Sequence, residues 1–381
     1  MSIKIVETIE DKKSLFNIKR FKYKNYSVET ILKTIDTKNL KLPIFKSLFK
    51  RNEDKLVFET SKEISNIEVL NEEEKFKSYL KIPRFLSGYH HNLILTFNLS
   101  SSHLVKEISK ATTFFDMMYG YSEWLFVPDI RPRKYIKIDE NKVKLVEIVS
   151  GEEYTKYVDS IYQILNYRNS KPIFVPISIK FNAEEIKELV SHYLKRERFY
   201  IWINFDGKPI NEDTIGRMRH IYRIIEEKGR LKDTLIYITN IKREILSHVE
   251  DIKTPASDVL ASIVGGNIIG VNKEPKRAIK GNGEPKYSKE ELLIHKGRKF
   301  NKETYYYEKP TDLNFDINDI LLRNNVLLQQ EFNEQCEKFL REGSIKEYIL
   351  SKEMTKKDNR GRVVAERLFS VKKKPNLRSW I

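Results

Sequence analysis

The chain has almost no cysteine: one residue, Cys336, in 381. A lone thiol cannot close an internal disulfide or build a cysteine-based zinc site, so any metal would fall to histidines and carboxylates. The histidines do not gather either. His90 and His91 are adjacent and would point apart on a strand, His192 and His220 fall on separate predicted helices, and no H-E-x-x-H pattern occurs. No metal and no cofactor is expected. The phosphate-loop signatures G-x-G-x-x-G and Walker A are missing, as is the G-x-S-x-G nucleophile elbow. There is no run of about 18 or more uncharged apolar residues, and the opening "MSIKIVETIEDKKS" lacks the apolar stretch of a secretory signal. The expectation is a soluble, cytoplasmic protein with no membrane partner; self-association stays open.

Apolar residues make up 40% of the chain, enough at this length to bury a proper core. Lys and Arg number 70 against 54 acids, a formal charge of +16. The excess is uneven. The last stretch, "SKEMTKKDNRGRVVAERLFSVKKKPNLRSWI", carries ten Lys/Arg against three acids and includes Lys372, Lys373 and Lys374. Such a footprint attracts phosphate backbones, which makes nucleic acid the expected partner. The plainer reading is a Lys-rich thermophile surface, with 33% of residues charged.

Residues 1–88 mix a helix-like "SVETILKTIDTKNL" with a strand-like "KLVFET" and read as a small N-terminal α+β segment. From Asn92 onward, apolar β-type runs alternate with amphipathic helices. The runs are Leu93–Leu99, Trp124–Ile130, Pro172–Ile179, Phe199–Gly207, Thr234–Asn240 and Asn267–Asn272. Continuous apolar character fits strands covered on both faces, and strand–helix–strand spacing predicts right-handed βαβ units. Without a phosphate loop after the first strand, a doubly wound sheet is disfavoured against a (β/α) TIM-like barrel over residues 89–300. Residues 301–350 predict helices packed on that barrel, with a break at Gly343. Residues 351–381 form a basic extension, polar enough to be partly disordered.

A barrel places its working residues at strand C-termini. Asn98 and Ser100 follow the first predicted strand, Asp129 the second, Ser178 the third, Asp206 the fourth and Asn240 the fifth, while Gly270 and Asn272 close the sixth. In "VPDIRP", Asp129 is followed by Arg131 and Arg133: the carboxylate can accept hydrogen bonds from a base or sugar while the arginines hold phosphate. It can equally cap its own turn. Asp206 in "NFDGKP" has a turn reading of its own, and Asp258 reads as the first turn of a helix over "TPASDVLASIVGG". Gly265 and Gly266 would end that helix, and Gly270 would admit a ligand or another backbone. Lys273, Lys276, Arg277 and Lys280 follow in a Gly/Pro-rich loop suited to phosphate.

The order "VPDI", "YQILNYRNSKPIFVPISIK", "YIWINFDG", "IYITNI", "PASDVLASIVGGNIIG", with the tail "DILLRNNVLLQQEFNEQCEKFLREGSIKEYI", resembles the tRNA-guanine transglycosylase superfamily, including its DNA-modifying relatives. The likeness runs from about Leu93 to Leu350 and lies in order and texture. It implies a barrel that exchanges guanine in tRNA or DNA for a 7-deazaguanine, one aspartate attacking ribose C1′ and another acting as general acid/base. Asp129 falls where the family recognises the base. The family's zinc-binding cysteines are absent, Asn98 stands where an aspartate is expected, and Ile269-Gly270 replaces the pair that supplies the nucleophile. Catalysis would then fall to Asp129 and Asp206. Two further readings stand beside it: a catalytically inactive barrel that binds DNA or RNA within a nucleoprotein or virus-associated assembly, and a barrel for a phosphorylated small molecule.

Overall fold

The computed structural model describes residues 2–38, 40–43, 46, 57–66, 70, 72–86, 88–99, 103–137, 143–167, 170–245, 251–273, 288–310 and 316–370. The chain opens with a three-stranded antiparallel sheet of β1 (Lys4–Glu10), β2 (Asn17–Tyr23) and β3 (Tyr26–Glu29). Two short strands follow, β4 (Leu32–Lys33) and β5 (Ile35–Asp36). The helix expected over "SVETILKTIDTKNL" is therefore replaced by strands. Val28, Thr30, Ile31, Thr34, Ile35 and Thr37 are β-branched and suit a pleated surface, and Leu32 and Lys33 find parallel partners in Ile268 and Ile269.

The parallel strands are β4 and β5 with β6 (Val57–Ile64), β7 (His90–Phe97), β8 (Leu125–Phe126), β9 (Asp129–Ile130), β12 (Ile173–Ser178), β13 (Tyr200–Asn204), β14 (Leu235–Thr239) and β16 (Ile268–Ile269). One sheet has the order β4-β16-β14-β13-β12-β8 and the other β5-β6-β7-β9. β4 runs into β5 across Thr34, and β8 into β9 across Val127 and Pro128, whose ring removes a ladder donor. The two sheets thus share two staves, and the eight staves close into a parallel ring. The TIM-like (β/α) architecture is present. It draws its first two staves from Leu32–Asp36 and Val57–Ile64, inside the stretch expected to be a separate N-terminal segment.

The outer layer is built by α1 (Glu73–Leu80), α2 (His103–Lys110), α3 (Thr112–Tyr121), α4 (Gly151–Asn166), α5 (Ala183–Lys195) and α6 (Glu212–Glu227). A hairpin, β10 (Arg133–Lys137) with β11 (Val143–Glu147), precedes α4. Capping boxes start α4, α5 and α6: Ser150 with Glu153, Asn182 with Glu185 and Asn211 with Thr214. The helix expected from Thr254 is absent. That stretch forms β15 (Lys253–Pro255), which pairs with β18 (Tyr306–Glu308) beside β17 (Lys299–Asn301), and then one 3₁₀ turn at Asp258–Leu260. Its glycines serve packing. Gly265 has φ +95°, and a Cβ there would lie 2.3 Å from the ring of Tyr222.

The N-terminal sheet covers the end where the staves begin. Its Ile3, Phe21 and Tyr23 meet Ile94, Trp124, Phe126, Phe174, Trp202, Leu235, Tyr237 and Ile268 in one apolar plug. After α7 (Lys289–Lys296), the long α8 (Ile317–Glu342) lies against the first stave, where Gln329 accepts from Lys33 N at 2.6 Å and donates to Ile31 O at 2.9 Å. Gly343 ends α8 with φ 71°. Then come α9 (Lys346–Ser351), α10 (Glu353–Lys357) and α11 (Asn359–Leu368). Val364, Ala365 and Leu368 are buried, so the extension is folded to Leu368 where partial disorder is expected. Among the described residues no helix is long and apolar enough to cross a membrane.

Candidate functional site

Side chains alternate along each stave between the barrel interior and the helix layer, and the interior set changes with height. Trp202 is followed two residues on by Asn204, Tyr237 by Thr239 and Ile94 by Thr96. The apolar plug therefore gives way to a buried polar layer at the C-terminal mouth.

Glu59 on β6 lies deepest in that layer and is fully buried. It accepts from Thr34 Oγ1 at 2.9 Å, Tyr237 OH at 2.5 Å, Thr239 Oγ1 at 2.7 Å and Val271 N at 3.1 Å. Four donors from three other staves satisfy its oxygens, which a buried carboxylate requires. Gly270 has its explanation here. A Cβ at that position would lie 2.6 Å from Glu59 Oε2 and from Thr239, so the close neighbour is an interior carboxylate in place of the expected ligand.

Asn204 is the hub above. It donates through Nδ2 to Asp129 Oδ2 at 2.7 Å and to Thr96 Oγ1 at 3.2 Å, while its Oδ1 accepts from Asp206 N and from Asn240 Nδ2, each at 3.0 Å. Ser61 Oγ donates to Asn240 Oδ1 at 3.3 Å. Asp206 and Asn240 both hold left-handed backbone, φ 45° and 59°, which Asp and Asn tolerate better than other side chains. Asp129 has no solvent exposure and also accepts from Tyr154 OH, which reaches in from α4 at 2.6 Å. Burial pushes its carboxyl up to about 6 against the pull of the Tyr154 and Asn204 hydrogen bonds, with the charge of Asp206 adding to the rise.

Asp206 sits under three cations: Arg131 Nη2 at 2.6 Å, Lys273 Nζ at 2.6 Å, and Lys180. Burial alone would raise its pKa, but Lys273, Arg131 and Lys180 outweigh it and hold the carboxyl at about 2. Glu63 is the second acid of the cluster. It takes a two-pronged contact from Arg131 at 2.9 and 2.8 Å, with Lys273 at 3.2 Å and Asn98 Nδ2 at 3.0 Å. Three cations thus face two acids. The side chain of Asp206 is only 3% exposed, whereas those of Lys180 and Lys273 are 29% and 19% exposed. Glu63, at 18%, is as exposed as Lys273, so a ligand arriving at the mouth meets Lys180, Lys273 and one carboxylate, with Asp206 sealed beneath them.

The other predicted residues scatter. Arg133 turns to α5, gripping Glu185 at 2.8 and 2.9 Å. Ser178 is buried and accepts from Lys180 N at 3.4 Å. Asn272 donates to Asp258, which is fully buried and receives Tyr307 OH at 2.8 Å. Ser100, Lys276, Arg277, Lys280, Lys372, Lys373 and Lys374 lie outside the described residues. The structure thus joins Asp129, Asp206, Asn98, Asn240, Arg131 and Lys273 in one network and leaves Arg133 and Ser178 at its edge. Sequence reasoning misses Glu59, Glu63 and Asn204. The signal was present in "VFETSKEI", where Glu59, Ser61 and Glu63 recur at period two on one face of a strand.

Among the described residues, no group of three or more His, Cys, Asp or Glu side chains gathers as a metal site. Compared with known proteins, the chain matches no family model and no curated protein.

Proposed function

We propose that the protein is a polynucleotide-binding barrel of transglycosylase-like design, whose C-terminal mouth holds phosphate through Lys180, Lys273 and Arg131. The observation that carries the reading is the cation excess at the mouth: Arg131, Lys180 and Lys273 face two acids, one of which, Asp206, is sealed beneath them. A phosphate oxygen can take over hydrogen bonds now made to Asp206 and Glu63, and charge-assisted contacts of this kind supply most of the affinity for a nucleic-acid backbone. The chain's net charge of +16 favours encounter with a polyanion. The test is binding of tRNA and of single- and double-stranded DNA across a range of salt, with Lys180→Gln and Lys273→Gln as variants. Binding that stays weak at low salt in every case would remove the reading.

One observation favours a second reading, base exchange on tRNA or DNA. Asp129 and Asp206 are joined through Asn204, and their surroundings push their pKa values apart, to about 6 and about 2. Such a split is how an acid and a carboxylate divide roles in many active sites. In this reading nucleic acid draws the cations off Asp206, which attacks C1′ as the C1′–N9 bond breaks and Asp129 gives a proton to the departing guanine; an incoming 7-deazaguanine then loses its proton to Asp129 and displaces the Asp206 carboxylate from C1′. Incorporation of labelled guanine into tRNA or DNA checks it. Exchange that is lost in Asp206→Asn supports the reading, and no exchange with any nucleic acid that the protein binds removes it while leaving the binding reading intact.

A further inference from the structure

At the mouth, one carboxylate is as reachable as the cations around it. Glu63 stands one residue before the end of β6, with its side chain 18% exposed, against 15% for Arg131 and 19% for Lys273. Its two oxygens take two donors each. Oε1 accepts from Arg131 Nη1 at 2.9 Å and Asn98 Nδ2 at 3.0 Å, and Oε2 from Arg131 Nη2 at 2.8 Å and Lys273 Nζ at 3.2 Å. Donors from the ends of three other staves thus converge on one anion with two oxygens.

These donors are also held in place without Glu63. Arg131 and Lys273 are each anchored to Asp206 at 2.6 Å, and Asp206 is sealed, with 3% of its side chain exposed. Along the backbone, Asn98 N donates to Ile64 O at 2.9 Å, Arg131 N to Phe97 O at 3.0 Å and Lys273 N to Ile241 O at 2.9 Å. When Glu63 swings out, a preorganised cradle remains. Glu63 is the movable part: its carboxylate hangs on a flexible side chain at the rim, and Ser65 and Asn66 beyond it are exposed. Of the two acids, it is the one that an incoming anion can displace. The cradle also specifies that anion. An internucleotide phosphodiester offers two free oxygens sharing one negative charge, as the Glu63 carboxylate does, whereas a terminal phosphate offers three oxygens and about two charges.

We propose that Glu63 occupies the seat of an internal phosphodiester of a polynucleotide strand: the backbone displaces its carboxylate and takes over the contacts to Arg131, Lys273 and Asn98, while Asp206 keeps its cations beneath. The inference rests on the reading of the mouth as a polynucleotide site and adds the residue that binding must move and the group that replaces it. Glu63 is thus a built-in competitor of the ligand, and Asn98 a phosphate donor. A Glu63 that served only to neutralise cations would make the same contacts, but its removal would not tighten binding beyond the loss of one charge.

The test is the affinity of the full chain, at low salt, for labelled circular single strands of DNA and RNA, which have no terminal phosphate, beside 5′-phosphorylated linear strands of the same length. Glu63→Gln keeps the size of the side chain and removes its charge, and is expected to bind at least about fivefold more tightly than the wild type. Glu227→Gln is the control for charge alone. It removes the same charge from the exposed C-terminal end of α6, away from the mouth, and should change affinity by less than about twofold. Asn98→Ala removes a donor to the phosphate and is expected to weaken binding about threefold or more; it reads the same seat if Glu63→Gln fails to fold. Circles bound as tightly as linear strands support an internal phosphodiester, and circles that fail to bind where linear strands bind overturn it. The proposal is also overturned if Glu63→Gln binds no more tightly than Glu227→Gln, or if Asn98→Ala binds as the wild type does, in a protein that loses affinity in Lys180→Gln; the mouth reading then stands alone. Lack of binding by every form removes the mouth reading and this inference with it.

Discussion

At the scale of single residues, Asp206 is the group whose charge matters most. Its folded pKa of about 2 lies below the ordinary 3.8, so its ionisation stabilises the fold above the ordinary value, and that contribution is lost as pH falls through 2. A shift of this size is linked to about 2 kcal/mol. Asp206→Asn keeps the shape and tolerates the left-handed backbone, so it should lower stability at pH 7 by roughly that amount, with the gap to wild type closing between pH 4 and pH 2. Chemical denaturation at a series of pH values reads this directly. Asp129 has the opposite sign. Its pKa is raised to about 6, so its burial favours the fold less as pH rises from about 4 towards 6. Glu59 is a different case, because its four donors come from backbone and side chains on other staves. Glu59→Gln puts an amide group against donors and should cost about 2–4 kcal/mol, measurable as a lower denaturation midpoint at constant slope.

At the scale of elements, the staves from β7 to β16 are legible in the sequence because strands buried on both faces read as continuous apolar runs. The first stave is not. Its apolar residues recur at spacings that also fit a helix, and only the pairing of Leu32 and Lys33 with Ile268 and Ile269 decides between them. The second stave is legible only in part, its opening residues through the strand-like "KLVFET". β6 alternates acids with other residues inside a barrel whose interior is polar at that height, so Glu59 and Glu63 look like a solvated face. Rim residues such as Asp129, Asp206, Asn98 and Asn240 can be read from their place after apolar runs. Their partners cannot, because Asn204, Glu63 and Tyr154 come from other staves or from a helix. The glycines of "SIVGGNIIG" mark close approach in the sequence, and the structure identifies the neighbours as Tyr222, Ile269 and Glu59. Gly265→Ala sets a Cβ against the Tyr222 ring at a positive φ and should destabilise by about 2–4 kcal/mol, seen as a lower melting temperature with nucleic-acid binding retained below it.

At the scale of the whole molecule, a closed barrel is plugged with apolar side chains at one end and with a polar, ionic network at the other. The network sets Arg131, Lys180 and Lys273 against Glu63 and Asp206, an excess of cations at the mouth of a chain with a formal charge of +16. The measurement that tests this account most directly is the affinity for a labelled single strand, a duplex and a tRNA as salt is raised, for wild type and for a Lys180→Gln/Lys273→Gln double variant that keeps its melting temperature. The account predicts a linear fall of log affinity with log salt, with a slope shallower by about 1.4 to 1.8 in the double variant, as two lost phosphate contacts require. Binding that is absent at low salt, indifferent to salt, or equal in slope for the two proteins would contradict it.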